Sequence, residues 1–242
     1  MRVANALVAD VLAELAAMVA PGVTTADLDT TAETLVRAAG AEPAFKGYRG
    51  YPATLCASIN EEVVHGIPSK RALAEGDIIS LDMGVKLNGF FGDSAITVPV
   101  GRVSEDVVTL LRVTQEALEH GIARVRLGGR ISDIGHAVQR HVEANGFSVV
   151  REFVGHGIGA ALHEEPQIAN YGEPGRGPRL AEGMVLAIEP MVNMGRPAVR
   201  VLGDGWTAVT RDGSLSAHFE HTVAVTRQGP LVLTQPTQAV AR

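Results

Sequence analysis

One segment of this chain occurs twice, and each copy places a carboxylate inside an otherwise apolar stretch. The first copy reads LAEGDIISLDMGV over residues 73–85, and the second reads LAEGMVLAIEPMV over residues 180–192. Asp82 and Glu189 occupy the same position in the two copies. A carboxylate in an apolar strand is costly unless a cation or hydrogen bonds balance its charge. The repetition therefore predicts a duplicated fold that holds a charged site between its halves.

Shorter matches follow the same order in both parts of the chain. They pair Asp27-Leu28 with Asp133-Ile134, Gly40 with Gly146, and His65-Gly66-Ile67 with His156-Gly157-Ile158. Chance similarity is the alternative in a chain rich in alanine, glycine and leucine, but the conserved order of the matches favours duplication. We expect two related halves, over about 3–120 and 121–233, within a single domain that spans residues 1–242.

Residue periodicity gives each half the same order of elements, two helices followed by strands. Helices are predicted over residues 3–19, 24–39, 104–124 and 131–144, the second with Thr24 and Asp27 as a capping pair. Strands are predicted near 55–60, 62–66, 77–86, 90–98, 148–155, 184–193, 206–210, 218–226 and 230–233, with loops over 41–54 and 164–178. The expected fold class is α+β, a curved antiparallel sheet with pseudo-twofold halves and helices covering its outside.

Composition excludes several classes of protein. The 242 residues carry a net charge of −6, so the chain as a whole lacks the basic character of a general nucleic-acid-binding protein. The chain contains no run of 18 apolar residues, so no membrane span is predicted. Its first residues do not resemble a signal peptide. Cys56 is the single cysteine, which excludes an intrachain disulfide and fits a reducing compartment. We therefore expect a cytoplasmic protein that functions as a monomer, without a nucleic-acid or membrane partner.

A predicted hairpin brings two carboxylates of the first half together. If Asn88-Gly89 forms the turn, Asp82 lies opposite Ala95 and Asp93 lies opposite Gly84. The two carboxylates then share a face of the hairpin as diagonal neighbours, with Cβ atoms about 7 Å apart. Either residue alone could be a solvated or strand-end position, but together on one apolar face they favour a metal site.

The second half offers Glu189, Glu220 and a histidine, His156, which stands among closely spaced glycines. In isolation a buried structural histidine is the favoured interpretation of His156, but the glycines beside it indicate close backbone approach and favour a functional role. The four carboxylates would carry four negative charges, which two divalent cations would balance, whereas without metal the groups would raise one another's pKa values. Oxygen-rich ligation with one imidazole suits Mn, Fe(II) or Co better than structural zinc, and a pair of such ions activates water.

Five segments of the chain carry a resemblance to a known family. They are GYRGYPATLCASINEEVVHGIP (47–68), GDIISLDMGVKLNGFFGDSA (76–95), FVGHGIGAALHEEPQI (153–168), AIEPMV (187–192) and SLSAHFEHTVAVT (214–226). With these segments the chain closely resembles the type I methionine aminopeptidases over about residues 3–228. The resemblance implies the pita-bread fold. It also implies metal-dependent removal of the initiator methionine from nascent polypeptides, at the ribosome, when the second residue is small.

The resemblance also implies roles for individual residues. The five metal ligands would be Asp82, Asp93, His156, Glu189 and Glu220, with Asp93 and Glu220 bridging two ions of Co, Mn or Fe(II). Asp82 would complete one metal site, and His156 with Glu189 would complete the other. Glu189 would also accept a proton from the attacking water. His65 would lie near the substrate amine, and His163 would hydrogen-bond the substrate carbonyl and stabilise the oxyanion.

The substrate pocket implied by the resemblance is apolar and shaped for a thioether. Its walls would include Tyr48, Tyr51, Cys56 and Trp206, with Phe45 nearby. Leu162 stands where many relatives carry an aromatic residue, which changes the shape of one wall.

Other interpretations of these residues exist. Cys56 could be a catalytic nucleophile, but spacing assigns it no base. Glu164 and Glu165 could be ligands, but the segment lacks the H-E-x-x-H pattern, so a loop-supporting role is favoured. At the level of the whole protein, the alternatives are an Xaa-Pro peptidase of the same fold and a metal-free binding protein. The first usually carries an additional N-terminal domain, and the second loses ligands that are all present here.

Overall fold

A computed structural model describes residues 1–237 of the chain. Over these residues there are four α-helices, whose bounds agree with the predicted ones to within two residues at each end. They are α1 (Arg2–Met18), α2 (Thr25–Ala38), α3 (Glu105–Ile122) and α4 (Ile131–Ala144). None of the helices in this described part is long and apolar enough to cross a lipid bilayer.

The strands are short except for one long hairpin, and every strand pairing is antiparallel. They are β1 (Glu42–Pro43), β2 (Leu55–Ile59), β3 (Glu62–Val64), β4 (Ile78–Leu87), β5 (Phe90–Pro99), β6 (Ser148–Val149), β7 (Gly155–Gly157), β8 (Glu164–Ile168), β9 (Val185–Ile188), β10 (Met191–Asn193), β11 (Val199–Val201), β12 (Ala208–Thr210), β13 (Ser216–His218), β14 (His221–Thr226) and β15 (Gly229–Val232).

Hydrogen bonds group the described strands into four sheets. The first-half sheet contains β1, β2, β4 and β5, and the largest second-half sheet has the order β15-β14-β9-β7-β8. Two smaller sheets, β13-β10-β6 and β11-β12-β3, connect parts of the chain that are distant in sequence. The combination of helices and antiparallel strands agrees with the predicted α+β class.

Helix faces cover the sheets because apolar residues recur at helical spacing. Val8, Leu12 and Leu15 of α1 are buried with Leu28 of α2 against Leu81 of β4. In the second half the corresponding core joins α3 and α4 to β9 and β14, through Leu118, Ile134, Leu186, Ile188 and Val223. Both cores lie on the sides of the sheets away from the carboxylates described below.

The second helix of each half begins with the same cap. Asp27 accepts the backbone N–H of Thr24 at 3.1 Å, and Asp133 accepts that of Arg130 at 2.9 Å. Both carboxylates stand at the third helical position, as in a capping box.

The repeat bounds near 3–120 and 121–233 and the single-domain span stay predictions, and residues 238–242 of that span lie outside the described residues.

Several predicted strands are interrupted in the structure. The strand expected over 184–193 breaks into β9 and β10 at Glu189-Pro190, since proline has no N–H for the ladder. The strand expected over 218–226 breaks between β13 and β14, and the one expected over 148–155 consists of the separate β6 and β7. Conversely, β8 lies inside the predicted loop over 164–178, and β11 was not predicted.

Candidate active site

The β4–β5 hairpin positions the first two carboxylates in the predicted register. Asp82 pairs with Ala95 and Asp93 pairs with Gly84 across the ladder, and both acidic residues are buried. Because Asp93 lies two residues from Ala95, the partner of Asp82, the two side chains leave the same face of the hairpin. The hairpin thus presents a pair of charges to one cavity.

The second-half carboxylates stand at the two strand interruptions. Glu189 follows β9 directly, and Glu220 lies between β13 and β14. The backbone N–H of Glu220 donates to the carbonyl of Ala95 in β5 at 2.9 Å, an isolated bridge between the halves. Each carboxylate therefore sits where the chain leaves one sheet for another.

Reciprocal hydrogen bonds fix Asp93 and Glu220 to each other's strands. The Ser94 hydroxyl donates to the carbonyl of Glu220 at 2.7 Å, and the Thr222 hydroxyl donates to the carbonyl of Asp93 at 2.7 Å. Asn5 of α1 accepts the backbone N–H of Asp93 at 3.3 Å. The backbone of this carboxylate pair is consequently held from both halves.

His156 presents one ring nitrogen to the carboxylates. Its Nδ1–H donates to the carbonyl of Gly157 at 2.9 Å, which leaves the Nε2 lone pair free. Nε2 lies 3.6 Å from Glu189 Oε1 and 3.9 Å from Asp93 Oδ2. A Cβ atom at Gly155 would overlap the carbonyl oxygen of Ala187, so glycine allows β7 to lie this close to β9.

The ligand atoms of Asp93, His156 and Glu220 all lie within 4.8 Å of one another. Carboxylate oxygens of Asp82 (Oδ1), Asp93 (Oδ1) and Glu220 (Oε1) are buried without a hydrogen-bond partner among residues 1–237. A buried anionic oxygen without a donor is costly, and a divalent cation satisfies several such oxygens at once. The donor set therefore fits a divalent metal ion.

Burial raises the pKa values of all four carboxylates, and mutual repulsion adds to this effect for three of them. Burial raises the pKa of Asp82 to about 7. Burial raises the pKa of Asp93 well above its usual range, and the charges of Asp82 and Glu189 add to the effect. The same two causes raise the pKa values of Glu189 and Glu220. The four buried carboxylates therefore favour the binding of a cation.

A cavity of about 140 Å³ opens onto the carboxylates, and its size is below the range of about 300–1,000 Å³ that is typical of drug-sized ligands. All of the predicted site residues line it, together with Arg49. They are Phe45, Tyr48, Tyr51, Cys56, His65, Asp82, Asp93, His156, Leu162, His163, Glu189, Trp206 and Glu220.

Two further histidines face this pocket. The His163 ring stacks on Tyr48 with centroids 5.3 Å apart, and its Nδ1 lies 3.0 Å from the Tyr48 hydroxyl. Burial, with smaller contributions from His156 and Arg49, lowers the pKa of His163 to about 4. His65 has a left-handed backbone (φ 61°) and packs edge-on against Phe153, and burial lowers its pKa. Both imidazoles are therefore neutral at pH 7.

The structure bears on the alternative interpretations of Cys56 and Glu164. Burial raises the pKa of the Cys56 thiol well above its usual range, and Asp82 across the strand pair adds to this. A thiolate nucleophile is therefore disfavoured at this position. The Glu164 carboxylate accepts the backbone N–H of Ala161 at 2.8 Å, which is a loop-supporting contact.

Sequence reasoning missed His218, which is buried beside Glu189. Its Nε2 lies 3.8 Å from Glu189 Oε2, and neither ring nitrogen has a hydrogen-bond partner within the described part of the chain. Burial lowers its pKa to about 3, so the ring is neutral. Its position two residues before Glu220 on an alternating stretch was an available signal, because such residues share a face.

Antiparallel sheets under helices, with a buried carboxylate–imidazole cluster at the base of a small pocket, define a metal-dependent hydrolase. The family model described as metallopeptidase family M24 matches residues 1–227. The chain therefore belongs to metallopeptidase family M24.

Relatives with high identity cover nearly the whole chain. Methionine aminopeptidase 1 of Bacillus subtilis is 54% identical over 97% of this chain and 95% of the relative. Methionine aminopeptidase of Clostridium acetobutylicum is 53% identical over 97% of this chain and 94% of the relative. The crystal structure of methionine aminopeptidase from Thermotoga maritima superposes with a TM-score of 0.96 at 48% identity, over 97% and 95% of the two chains.

More distant structures share the architecture alone. The prolidase from Pyrococcus horikoshii superposes with a TM-score of 0.77 at 20% identity and is covered over 62% of its length. Together with the closer superpositions, this likeness confirms the predicted pita-bread fold.

Proposed function

We propose that this protein removes N-terminal methionine from polypeptides whose second residue is small. The observation that supports this proposal most directly is the cluster of four carboxylates and His156 in a pocket of about 140 Å³. Relatives that are about half identical over nearly their whole length and named methionine aminopeptidases support the same activity. A pocket of this size fits a single side chain, which is the property that an exopeptidase needs.

The proposed cofactor is a pair of divalent ions, Co, Mn or Fe(II). Asp82 would hold one ion, His156 and Glu189 the other, and Asp93 and Glu220 both. The arrangement of the donors supports this, since the ligand atoms of Asp93 and Glu220 lie within 4.8 Å of that of His156, and Asp82 shares the hairpin face with Asp93. Four carboxylates also balance two divalent charges. A bound divalent ion polarises a carbonyl and lowers the pKa of water at neutral pH.

Glu189 and His163 are the proposed catalytic groups of the chain itself. Glu189 would accept a proton at its carboxylate, a role that suits a group whose pKa is raised by burial. The Tyr48 hydroxyl donates to Nδ1 of His163 in this proposal, so Nε2 carries the proton and donates to the substrate carbonyl. His65 would contact the substrate near its amine.

The walls of the pocket would select methionine. Trp206 packs edge-on against Tyr51 with ring centroids 5.1 Å apart, and both contact Phe45 and Cys56 in one apolar cluster. Leu162 is buried beside Tyr48 and Phe45. These apolar walls exclude water and suit a thioether, which tolerates irregular surroundings. The proposed physiological substrates are nascent chains at the ribosome, acted on by a cytoplasmic monomer.

Peptide cleavage tests the proposal. The protein supplied with Mn²⁺ should release methionine from Met-Ala-Ser and leave Met-Lys-Ser and Ala-Pro peptides intact, and a chelator should abolish the activity. Chromatography of the products gives the result. Cleavage of Ala-Pro peptides with intact Met-Ala-Ser would contradict the proposal and support an Xaa-Pro peptidase.

A further inference from the structure

A second cavity, which we name the basic cleft, lies between α3 and α4. It has a volume of about 650 Å³, and none of its described lining residues lines the candidate active site. Its lining includes the basic side chains of His120, Arg124, Arg126, His136, Arg140 and His141, together with the acidic Asp133. The chain carries a net charge of −6, so this cluster does not follow from general basicity.

Helical spacing brings the basic residues together from two sides. His136 and Arg140 stand four residues apart on α4 and therefore share one face, on which Ala137 is a small neighbour. His120 and Arg124 have the same spacing at the end of α3. The His120 and His141 rings lie 4.5 Å apart between centroids, so the two helices bring their basic faces into contact.

The acidic groups around the basic cleft are already engaged. Both carboxylate oxygens of Asp133 accept backbone N–H groups, from Arg130 at 2.9 Å and from Gly175 at 2.7 Å. Glu116 accepts from Arg112 at 2.7 Å and contacts the His141 ring at 2.9 Å. Across residues 1–237, no carboxylate lies within 4.0 Å of the guanidinium groups of Arg124, Arg126 or Arg140.

We propose that the basic cleft binds a phosphate-bearing ligand through Arg124 and Arg140. A guanidinium group presents paired donors that match two phosphate oxygens, and arginine is the preferred residue for such contacts. Arg126 adds a third positive charge, although its Nε is directed to the carbonyl of Ala123 at 3.3 Å. The volume of about 650 Å³ lies within the range for small-molecule sites and would accommodate a nucleotide.

Calorimetric titration of the metal-loaded protein tests the proposal with three probes, which are inorganic pyrophosphate, ATP and a short single-stranded RNA. At least one should bind saturably at about 0.1 M salt, where the charge contribution persists. Pyrophosphate or ATP binding without RNA binding would identify a free phosphate compound, whereas preference for RNA would identify nucleic-acid phosphates. No saturable binding of any probe would overturn the proposal.

Variants locate the bound probe. The double variant Arg124→Ala/Arg140→Ala should weaken binding about 10-fold or more, since each charged hydrogen bond contributes more than a neutral one. The control Arg37→Ala/Arg227→Ala removes the same two charges outside the cleft, where these arginines pair with Glu33 and Glu182, and should bind like the original protein. Unchanged affinity in the double variant, or an equal loss in the control, would overturn the proposal.

Histidine ring signals give a measurement that needs no variant. In NMR spectra of the protein, the bound probe should shift the imidazole resonances of His120, His136 and His141 and leave those of His65 and His163 in place. The opposite pattern would place the phosphate at the metal centre and would overturn the proposal.

Discussion

Asp93 and Glu220 are the residues at which the two halves of the chain are joined. Each has its carbonyl held by a hydroxyl from the other half, Thr222 for Asp93 and Ser94 for Glu220. The carboxylates themselves could be predicted, because an acidic residue in an apolar strand is conspicuous. The two hydroxyl contacts could not, since a serine or threonine on a strand gives no sequence signal of its distant partner.

Replacing His163 should affect turnover more than metal binding. In His163→Ala, kcat for Met-Ala-Ser should fall about 100-fold, the loss typical of one oxyanion donor, while Mn²⁺ affinity stays within about 2-fold. Tyr48→Phe keeps the stacked ring and removes only the hydroxyl at Nδ1, so its kcat should fall less. Steady-state kinetics and metal titration provide both values. A His163→Ala protein with an unchanged kcat would contradict the assigned role.

At the scale of elements, local turn chemistry decides what could be predicted. The Asn88-Gly89 turn sets the β4–β5 register, and the structure has the predicted pairing of Asp82 with Ala95. Pro190 was an available signal for the interruption at Glu189-Pro190, whereas the interruption before His221 could not be predicted. An alternating pattern continues unchanged when a strand leaves one sheet and joins another, because the pattern reports burial and not the pairing partner.

The close approach of β7 to β9 predicts a stability defect in a glycine variant. A Cβ atom at Gly155 meets the Ala187 carbonyl oxygen, so Gly155→Ala should lower the free energy of unfolding by about 1–3 kcal/mol. Gly203 has open space around its Cα and no positive φ, which makes Gly203→Ala the matched control. Urea unfolding followed by circular dichroism measures both. Equal stability of the two variants would contradict the packing described for β7.

At the scale of the whole molecule, the duplication could be predicted from ordered matches, whereas the division into four sheets could not. Strand pairings such as β3 with β12 and β6 with β10 join residues from distant parts of the chain. Only tertiary packing selects these partners. The basic cleft was missed for a similar reason, because Arg124 and Arg126 follow α3 whereas Arg140 lies in α4, within an acidic chain.

The buried carboxylates predict how the stability of the metal-free protein depends on pH. Folding raises the pKa of Asp82 to about 7 and those of its neighbours above their usual range, so the folded state retains protons that the unfolded state releases above about pH 4. The buried neutral histidines have the opposite effect below about pH 7, so the free energy of unfolding should fall by a few kcal/mol as pH rises from about 7 to about 9, where the carboxylates dominate.

Urea unfolding in the presence of a chelator measures this dependence. Added Mn²⁺ should restore the lost stability at pH 8, because the metal replaces the protons as the balancing charge. The variant Asp82→Asn should show a smaller decrease between about pH 7 and 9 than the original protein. Stability of the metal-free protein that rises over this range would contradict the assigned pKa shifts.

Equilibrium titration of metal-free protein with Mn²⁺ tests the central claim most directly, that carboxylates from both halves form one dinuclear centre. The original protein should bind two ions per chain, and Asp93→Asn should weaken binding of both about 100-fold or more, because Asp93 would hold both ions in the proposed centre. Glu119→Gln, which removes an exposed charge on α3, should bind two ions like the original protein. Normal Mn²⁺ binding by Asp93→Asn, or no binding by the original protein, would contradict the account.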